Sequence, residues 1–236
     1  MGIFDRKIQV FTDGAVLAEM LEWRDKGIKG FTTNPTLMKK AEVVHYEAFA
    51  KEVLKEIPDL PISFEVFADE FSEMERQARL ISAWGKNVYV KIPITNTKGE
   101  SSAPLIARLS EDMMLNVTAI LTLSQVKEAA QALSTSHPSI ISVFAGRIAD
   151  TQRDPVPIMS EAARWLKENA PRAQLLWASP REVLNVNQAE ECGCQIITAT
   201  PDVLKKLELQ GKPLDQYSLE TVQMFFNDGR EAGYKL

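Results

Sequence analysis

Short apolar runs alternate with longer amphipathic segments along this chain. The runs are rich in β-branched and aromatic residues and are apolar at successive positions, as in parallel strands that are buried on both faces. The segments with this pattern are Ile8–Thr12, Ile28–Thr33, Ile62–Phe67, Val88–Ile92, Leu115–Leu121, Ile140–Phe144, Leu175–Ala178 and Ile196–Thr198. The sequence therefore predicts a buried, mainly parallel sheet.

The amphipathic segments between these runs predict helices. Some begin with acidic or capping residues, as at Asp69-Glu70 and at Ser124, which is typical of helix N-termini. The predicted helices are Ala15–Lys26, Ala41–Glu56, Glu70–Trp84, Ser124–Leu133, Pro157–Asn169 and Pro180–Glu191. Strands that alternate with helices in this way indicate an α/β protein.

Eight strands, each followed by a helix, within about 200 residues are typical of a single (β/α)8 TIM barrel. A doubly wound open sheet is the alternative, but no Gly-x-Gly-x-x-Gly fingerprint follows the first strand. We expect residues 1–213 to form one barrel domain. Residues 214–236 are expected to form a C-terminal helical extension, with a helix at Ser218–Asn227, that packs on the barrel or on a neighbouring subunit.

Composition and charge exclude several classes of protein. The 236 residues include 27 basic and 32 acidic side chains, a net charge of −5, which argues against a nucleic-acid partner. No apolar run reaches the ~18 residues of a membrane span. Residues Met1–Arg6 lack the long apolar region of an export signal. We therefore expect a soluble, cytoplasmic protein without a membrane partner.

The histidine inventory limits the possible chemistry. Only His45 and His137 are present, in unrelated surroundings. A catalytic zinc site usually draws several ligands from one neighbourhood, and a serine or cysteine triad needs a placed histidine base. Any catalysis is therefore expected to depend on carboxylates, lysine, hydroxyl groups and arginine rather than on a metal.

Polar side chains stand at the carboxyl ends of the predicted strands, where barrel enzymes place their active sites. A buried charge there costs several kcal/mol unless it is paired or neutralised. Several polar and charged side chains that converge on one edge of the barrel therefore favour a functional site. The residues at or just beyond these ends are Asp13, Thr33, Asn34, Glu65, Lys91, Asn116, Thr118, Ser142, Arg147, Ser179 and Arg181.

Lys91 is the most informative of these residues, because it interrupts the apolar segment Val88–Ile94. Burial favours the neutral amine, which is a nucleophile toward carbonyl groups and forms Schiff bases. The alternative is an inert ion pair with Glu65 or Asp13, and the segment alone does not separate the two. The surrounding acid/base and hydroxyl groups favour Schiff-base chemistry on a polyol.

Arg147 and Arg181 follow the predicted sixth and seventh strands, close to where barrels commonly bind phosphate. A guanidinium group offers a planar fork of donors that suits phosphate oxygens. Together with Ser179, the pair indicates a phosphorylated substrate, although another anion such as a sulfonate would fit the same pocket.

Several segments together resemble the transaldolase family, and the short length resembles its compact subfamily, which includes the fructose-6-phosphate aldolases. The similarity runs from Phe11 to about Val203, and its motifs are specific as an ordered set. The matching segments are Gly30-Phe31-Thr32-Thr33-Asn34-Pro35-Thr36, Val90-Lys91-Ile92-Pro93, Asn116-Val117-Thr118, Ser142-Val143-Phe144-Ala145-Gly146-Arg147-Ile148 and Ala178-Ser179-Pro180-Arg181.

The resemblance implies a class I aldolase barrel without a metal or organic cofactor. It implies that Lys91 forms an iminium with a ketose, that Glu65 moves protons through a water held by Thr118, and that Asp13 takes the hydroxyl proton during cleavage. The substrate-binding residues that it implies are Thr33, Asn34, Asn116, Ser142 and Phe144, with Arg147, Ser179 and Arg181 at the phosphate. It also implies a homo-oligomer, a pentamer or decamer.

Three functions follow from this resemblance. The first is a transaldolase that moves dihydroxyacetone from fructose 6-phosphate or sedoheptulose 7-phosphate to an aldose phosphate, as in the pentose phosphate pathway. The second is an aldolase that releases dihydroxyacetone, and the third is a non-catalytic barrel that binds sugar phosphates. Glu65 and Phe144 favour the first, because the aldolase branch has glutamine and tyrosine at the corresponding positions.

Overall fold

A computed structural model describes residues 6–235, and within them eight parallel strands close into a barrel. The strands are β1 (Gln9–Asp13), β2 (Phe31–Thr32), β3 (Ile62–Glu65), β4 (Val88–Pro93), β5 (Leu115–Ile120), β6 (Ser139–Val143), β7 (Ala173–Trp177) and β8 (Ile196–Ala199). Each strand pairs with the next, and β8 pairs with β1. The predicted (β/α)8 barrel is confirmed, and the alternative open sheet is wrong. Residues 1–5, on which the absence of an export signal partly depended, lie outside the described residues.

Helices surround the barrel and include short ones that the sequence pattern did not predict. They are α1 (Leu17–Asp25), α2 (Pro35–Lys40), α3 (Tyr46–Glu56), α4 (Phe71–Ser82), α5 (Ala103–Leu109), α6 (Leu123–Ala132), α7 (Ala145–Asp150), α8 (Val156–Asn169), α9 (Leu184–Glu191), α10 (Pro201–Leu204) and α11 (Leu214–Glu231). The unpredicted α2, α5, α7 and α10 have four to seven residues, too few for a helical period to be visible.

The hydrophobic core has two layers, one on each side of the barrel wall. The larger layer lies between the strands and the surrounding helices. A smaller cluster fills the barrel interior, where successive residues of β7 alternate: Leu176 belongs to the inner cluster, and Leu175 and Trp177 to the outer layer. Because both faces are buried, the strands are apolar at successive positions, as the sequence pattern indicated.

Two strands are irregular at their carboxyl ends, where the chemistry-bearing side chains stand. β2 begins at Phe31, later than predicted, and it ends at Thr32 because the chain turns into α2, which is capped by the Asn34 side chain and begins with Pro35. In β5 the register shifts between Val117 and Ile120, and Ala119 takes a left-handed conformation with φ of 61°. Both irregularities change which side chains face the mouth of the barrel.

The C-terminal helix α11 has 18 residues, none of which is buried. Its exposed apolar side chains include Leu214, Tyr217, Val222, Phe225 and Phe226. Within residues 6–235, the length and hydropathy needed to cross a membrane are not combined in any helix.

Candidate active site

A cavity of about 550 Å³ opens at the carboxyl ends of the strands. Side chains from all parts of the barrel line this cavity. Its position is the one where barrel enzymes have their active sites. Of the residues singled out from the sequence, those that line it are Asp13, Asn34, Glu65, Lys91, Thr118, Ser142, Phe144, Arg147, Ser179 and Arg181. Thr33 and Asn116 do not line the cavity; both are fully buried beside it.

Lys91 is buried in the cavity and paired with Glu65. The register of β3 and β4 places the two residues opposite each other, and Lys91 Nζ lies 3.1 Å from Glu65 Oε2. Nζ also donates a hydrogen bond of 2.8 Å to the carbonyl oxygen of Thr33. Lys91 as a whole residue is only 6% exposed, so little of it is in contact with water. A buried amine and a carboxylate therefore stand in direct contact.

Asp13 lies at the end of β1 and is held by two donors. Thr32 Oγ1 donates a hydrogen bond of 2.9 Å to Oδ1, and Asn34 Nδ2 donates one of 3.1 Å to Oδ2. Burial raises the pKa of Asp13 and outweighs the opposing effects of Lys91, Thr32 and Asn34. A carboxyl group with a raised pKa is suited to exchange a proton with a substrate hydroxyl.

Polar groups beneath the cavity connect β3, β5 and β6. Asn116 Nδ2 donates to Ser63 Oγ at 3.0 Å, and Ser142 Oγ donates to Asn116 Oδ1 at 2.7 Å. Asn116 thereby fixes Ser142 at the cavity wall. Thr118 Oγ1 is buried and has no hydrogen-bond partner among residues 6–235, although its side chain borders the cavity. An orphaned hydroxyl at this position is free to bind a substrate oxygen or a water.

Two arginines, Arg147 and Arg181, also line the cavity. Arg147 lies 5.4 Å from the ring centroid of Phe144 and has no ion pair with any residue in 6–235. Arg181 Nε donates to Asp150 Oδ1 at 2.9 Å, and a second hydrogen bond joins the same two side chains. The unpaired guanidinium of Arg147 leaves a positive charge in the cavity, which favours an anionic group on a ligand.

The sequence interpretation missed several cavity residues, of which Thr32 and Thr198 are the most informative. Their hydroxyl oxygens are 2.6 Å apart, and Thr32 also contacts Asp13. Thr32 faces the cavity, whereas Thr33 turns away from it and donates to the Ser63 carbonyl oxygen. The alternation of side chains along a strand was the signal that could have separated the two threonines.

Comparison with known proteins agrees with this geometry. The sequence profile of the family described as transaldolase/fructose-6-phosphate aldolase matches residues 10–236. The chain belongs to this family. The resemblance drawn from its motifs is thereby confirmed.

Relatives described as probable transaldolases align with most of the chain. A "Probable transaldolase" from Mesorhizobium japonicum is 32% identical over 233 residues, which are 97% of this chain and 100% of that protein. A "Probable transaldolase" from Dehalococcoides mccartyi is 30% identical over 202 residues, which are 85% of this chain and 90% of that protein. These relatives support an enzyme of the transaldolase and fructose-6-phosphate aldolase type.

Solved structures support the barrel fold at low sequence identity. A crystal structure of 3-hexulose-6-phosphate synthase from Salmonella typhimurium superposes with a TM-score of 0.54 and 12% identity, and it covers 85% of this chain and 96% of its own. At this identity the similarity concerns the fold alone.

Proposed function

We propose that this protein is a transaldolase that transfers a dihydroxyacetone unit from a ketose phosphate to an aldose phosphate through a Schiff base on Lys91. The observation that carries the proposal is the buried contact of Lys91 Nζ with the carboxylate of Glu65, in the same cavity as Asp13. The proposed donors are fructose 6-phosphate and sedoheptulose 7-phosphate.

In the proposed first half-reaction, Lys91 gives a proton to Glu65, and its neutral Nζ attacks the ketose carbonyl carbon. Glu65 then delivers this proton, and a second one that it takes from the attacking nitrogen, through a water at Thr118 to the former carbonyl oxygen, which leaves as water to give the iminium. Asp13 removes the proton of the C4 hydroxyl. The C3–C4 bond breaks, its electrons reduce the iminium to an enamine on Lys91, and the aldose phosphate departs.

The second half-reaction reverses these steps with another aldehyde. The enamine carbon attacks the carbonyl carbon of an acceptor aldose phosphate, and Asp13 returns its proton to the new hydroxyl. Water then hydrolyses the iminium and restores the Lys91 amine. The unpaired charge of Arg147 supports a site for the terminal phosphate of both donor and acceptor, and Arg181 would join it by exchanging Asp150 for the phosphate.

Transfer is favoured over release because of Phe144 at the cavity wall. A tyrosine hydroxyl at this position could place a water or donate a proton to the enamine, which would release dihydroxyacetone. Phenylalanine has no such group, so the enamine persists until an acceptor arrives. An aldolase that releases dihydroxyacetone is the second candidate.

The proposed chemistry is tested by trapping the iminium. The protein is incubated with fructose 6-phosphate and reduced with borohydride, and the modified peptide is identified by mass spectrometry. An adduct on Lys91 is expected, and its absence would refute both the transaldolase and the aldolase. Dihydroxyacetone release with and without erythrose 4-phosphate then separates the two activities.

We also propose that the chain acts as a homo-oligomer, a pentamer or decamer, in the cytoplasm. The support comes from α11, whose apolar side chains are uncovered within the protomer. Large exposed apolar patches rimmed by polar residues are typical of protein interfaces. In this proposal residues 1–213 form the catalytic barrel, and residues 214–236 form an extension that packs on a neighbouring subunit.

A further inference from the structure

The main chain of Glu65 is bound by a side chain from outside the barrel. Tyr46, the first residue of α3, accepts a hydrogen bond of 2.8 Å from the Glu65 amide through its hydroxyl oxygen. The same hydroxyl donates a hydrogen bond of 3.1 Å to the Glu65 carbonyl oxygen. One hydroxyl group therefore satisfies both main-chain polar groups of the residue whose carboxylate contacts Lys91.

This arrangement arises because β2 is too short to pair with the end of β3. The last main-chain bond from the β2 side runs from the Thr33 amide to the Ser63 carbonyl oxygen. Main-chain groups alternate in direction along a strand, so Glu65 is the next residue of β3 to face β2. There the chain has already turned into α2 at Pro35. The Tyr46 hydroxyl takes the place of the missing strand residue, since buried main-chain groups require partners.

The ring of Tyr46 is itself held by three aromatic neighbours. Its centroid lies 4.7 Å from that of Phe67, 5.3 Å from that of Trp84 and 6.1 Å from that of Phe64. Burial raises the pKa of Tyr46, so the hydroxyl stays protonated and can donate as well as accept. The ring cluster thus fixes the hydroxyl without taking part in its hydrogen bonds.

We propose that Tyr46 is a positioning residue for Glu65, holding the end of β3 so that the carboxylate stays in contact with Lys91 Nζ. The proposal rests on the proposed function, in which Glu65 moves the protons of iminium formation and hydrolysis. Loss of the hydroxyl would leave two main-chain groups unpaired and let the end of β3 move. It would slow those steps without changing the binding of the substrate phosphate.

The substitution Tyr46→Phe tests this role, because it removes the hydroxyl and keeps the ring. We expect kcat to fall about tenfold while KM changes by less than about twofold, because the substrate-binding wall is untouched. Trp84→Phe is the matched control: it changes the same ring cluster and no group bonded to Glu65. The control should retain kcat near that of the unchanged protein.

A double-mutant cycle separates positioning from general destabilisation. If Tyr46 acts through Glu65, then Tyr46→Phe should cause no further loss of kcat in a Glu65→Ala background, where the carboxylate is already absent. An equal fractional loss in both backgrounds would overturn the proposal. An unchanged kcat in the single Tyr46→Phe variant would overturn it as well.

A second measurement does not depend on activity. Hydrogen exchange of the Glu65 amide should accelerate at least about tenfold in Tyr46→Phe and remain unchanged in Trp84→Phe. An unchanged rate in Tyr46→Phe would overturn the proposal, whatever the activity. Failure of the unchanged protein to form a Lys91 adduct would instead refute the proposed function, and the exchange rate would still decide whether Tyr46 holds Glu65.

Discussion

Gly146 lies so close to Ser179 that a Cβ at position 146 would stand 1.5 Å from the Ser179 carbonyl oxygen. The Gly146 amide donates to the Ala178 carbonyl oxygen at 3.3 Å, and Ser179 has a left-handed φ of 57°. The start of α7 is thus packed directly on the turn that follows β7. This contact brings Arg147 and Arg181 to the same wall of the cavity.

Gly146→Ala should separate these two elements and weaken phosphate binding. We expect KM for fructose 6-phosphate to rise at least about tenfold, because a displacement near 1 Å is enough to disturb a binding site strongly. Trapping of unphosphorylated dihydroxyacetone on Lys91 should persist, which also shows that the variant is folded. Gly229→Ala is the control, since among residues 6–235 a Cβ there would have no atom within 4 Å apart from its chain neighbours and the adjacent turns of its own helix. An unchanged KM in Gly146→Ala would contradict the prediction.

Lys91→Arg should abolish turnover while keeping a positive charge beside Glu65. A guanidinium group remains protonated and does not form an iminium, so steady-state transfer should fall to the background rate. Lys98→Arg, at an exposed lysine that pairs with Glu70, should retain full activity. Substantial turnover in Lys91→Arg would count decisively against the proposed mechanism.

Phe144→Tyr should shift the reaction from transfer toward release of dihydroxyacetone. The added hydroxyl could donate a proton to the enamine, so the ratio of release to transfer is expected to rise about tenfold or more. Phe144→Leu changes the ring without adding a hydroxyl, and its ratio should stay low. An unchanged ratio in Phe144→Tyr would remove the argument for transaldolase that depends on this residue.

Thr32→Val should move the acid limb of the pH profile of kcat/KM to higher pH. The hydrogen bond from Thr32 lowers the pKa of Asp13 against the larger effect of burial, so its loss raises that pKa further. Asp13 must be ionised to accept a hydroxyl proton. As the pH falls, the variant therefore loses the ionised form of Asp13 at a higher pH than the unchanged protein does. Thr32→Ser keeps the hydroxyl and should leave the limb in place. A shift to lower pH, or no shift, would contradict this role for Asp13.

The sequence was sufficient for the barrel and for much of the cavity, because both follow from local pattern. Lys91 stood out as a charge within an apolar strand, and the end of the strand placed it at the active-site edge. Thr32 was missed although the alternation of side chains along β2 points to it, whereas Tyr46 was missed because its role depends on where β2 stops. That point is set by the capping of α2 and by tertiary packing, neither of which appears in the strand pattern.

The proposed oligomer can be tested on the apolar side chains of α11. The full-length double variant Phe225→Glu and Phe226→Glu should reduce the molar mass measured by light scattering to that of a protomer, because charges would be buried at the interface. Gln223→Glu adds a charge at an exposed polar position of the same helix and should leave the mass unchanged. A double variant with the original mass would show that these phenylalanines are not at the interface.

A helix without a fully buried residue in its own protomer has a thermodynamic consequence. Most helical stability in proteins comes from the packing of an apolar face rather than from intrinsic propensity, so α11 draws little stability from its own sequence. In the proposed oligomer, the free energy that orders α11 comes from subunit association. The stability of α11 therefore depends on protein concentration through mass action. Dilution would then unfold α11 while the barrel stays folded. In thermal unfolding, the midpoint temperature of α11 would rise with protein concentration, and that of the barrel would rise less.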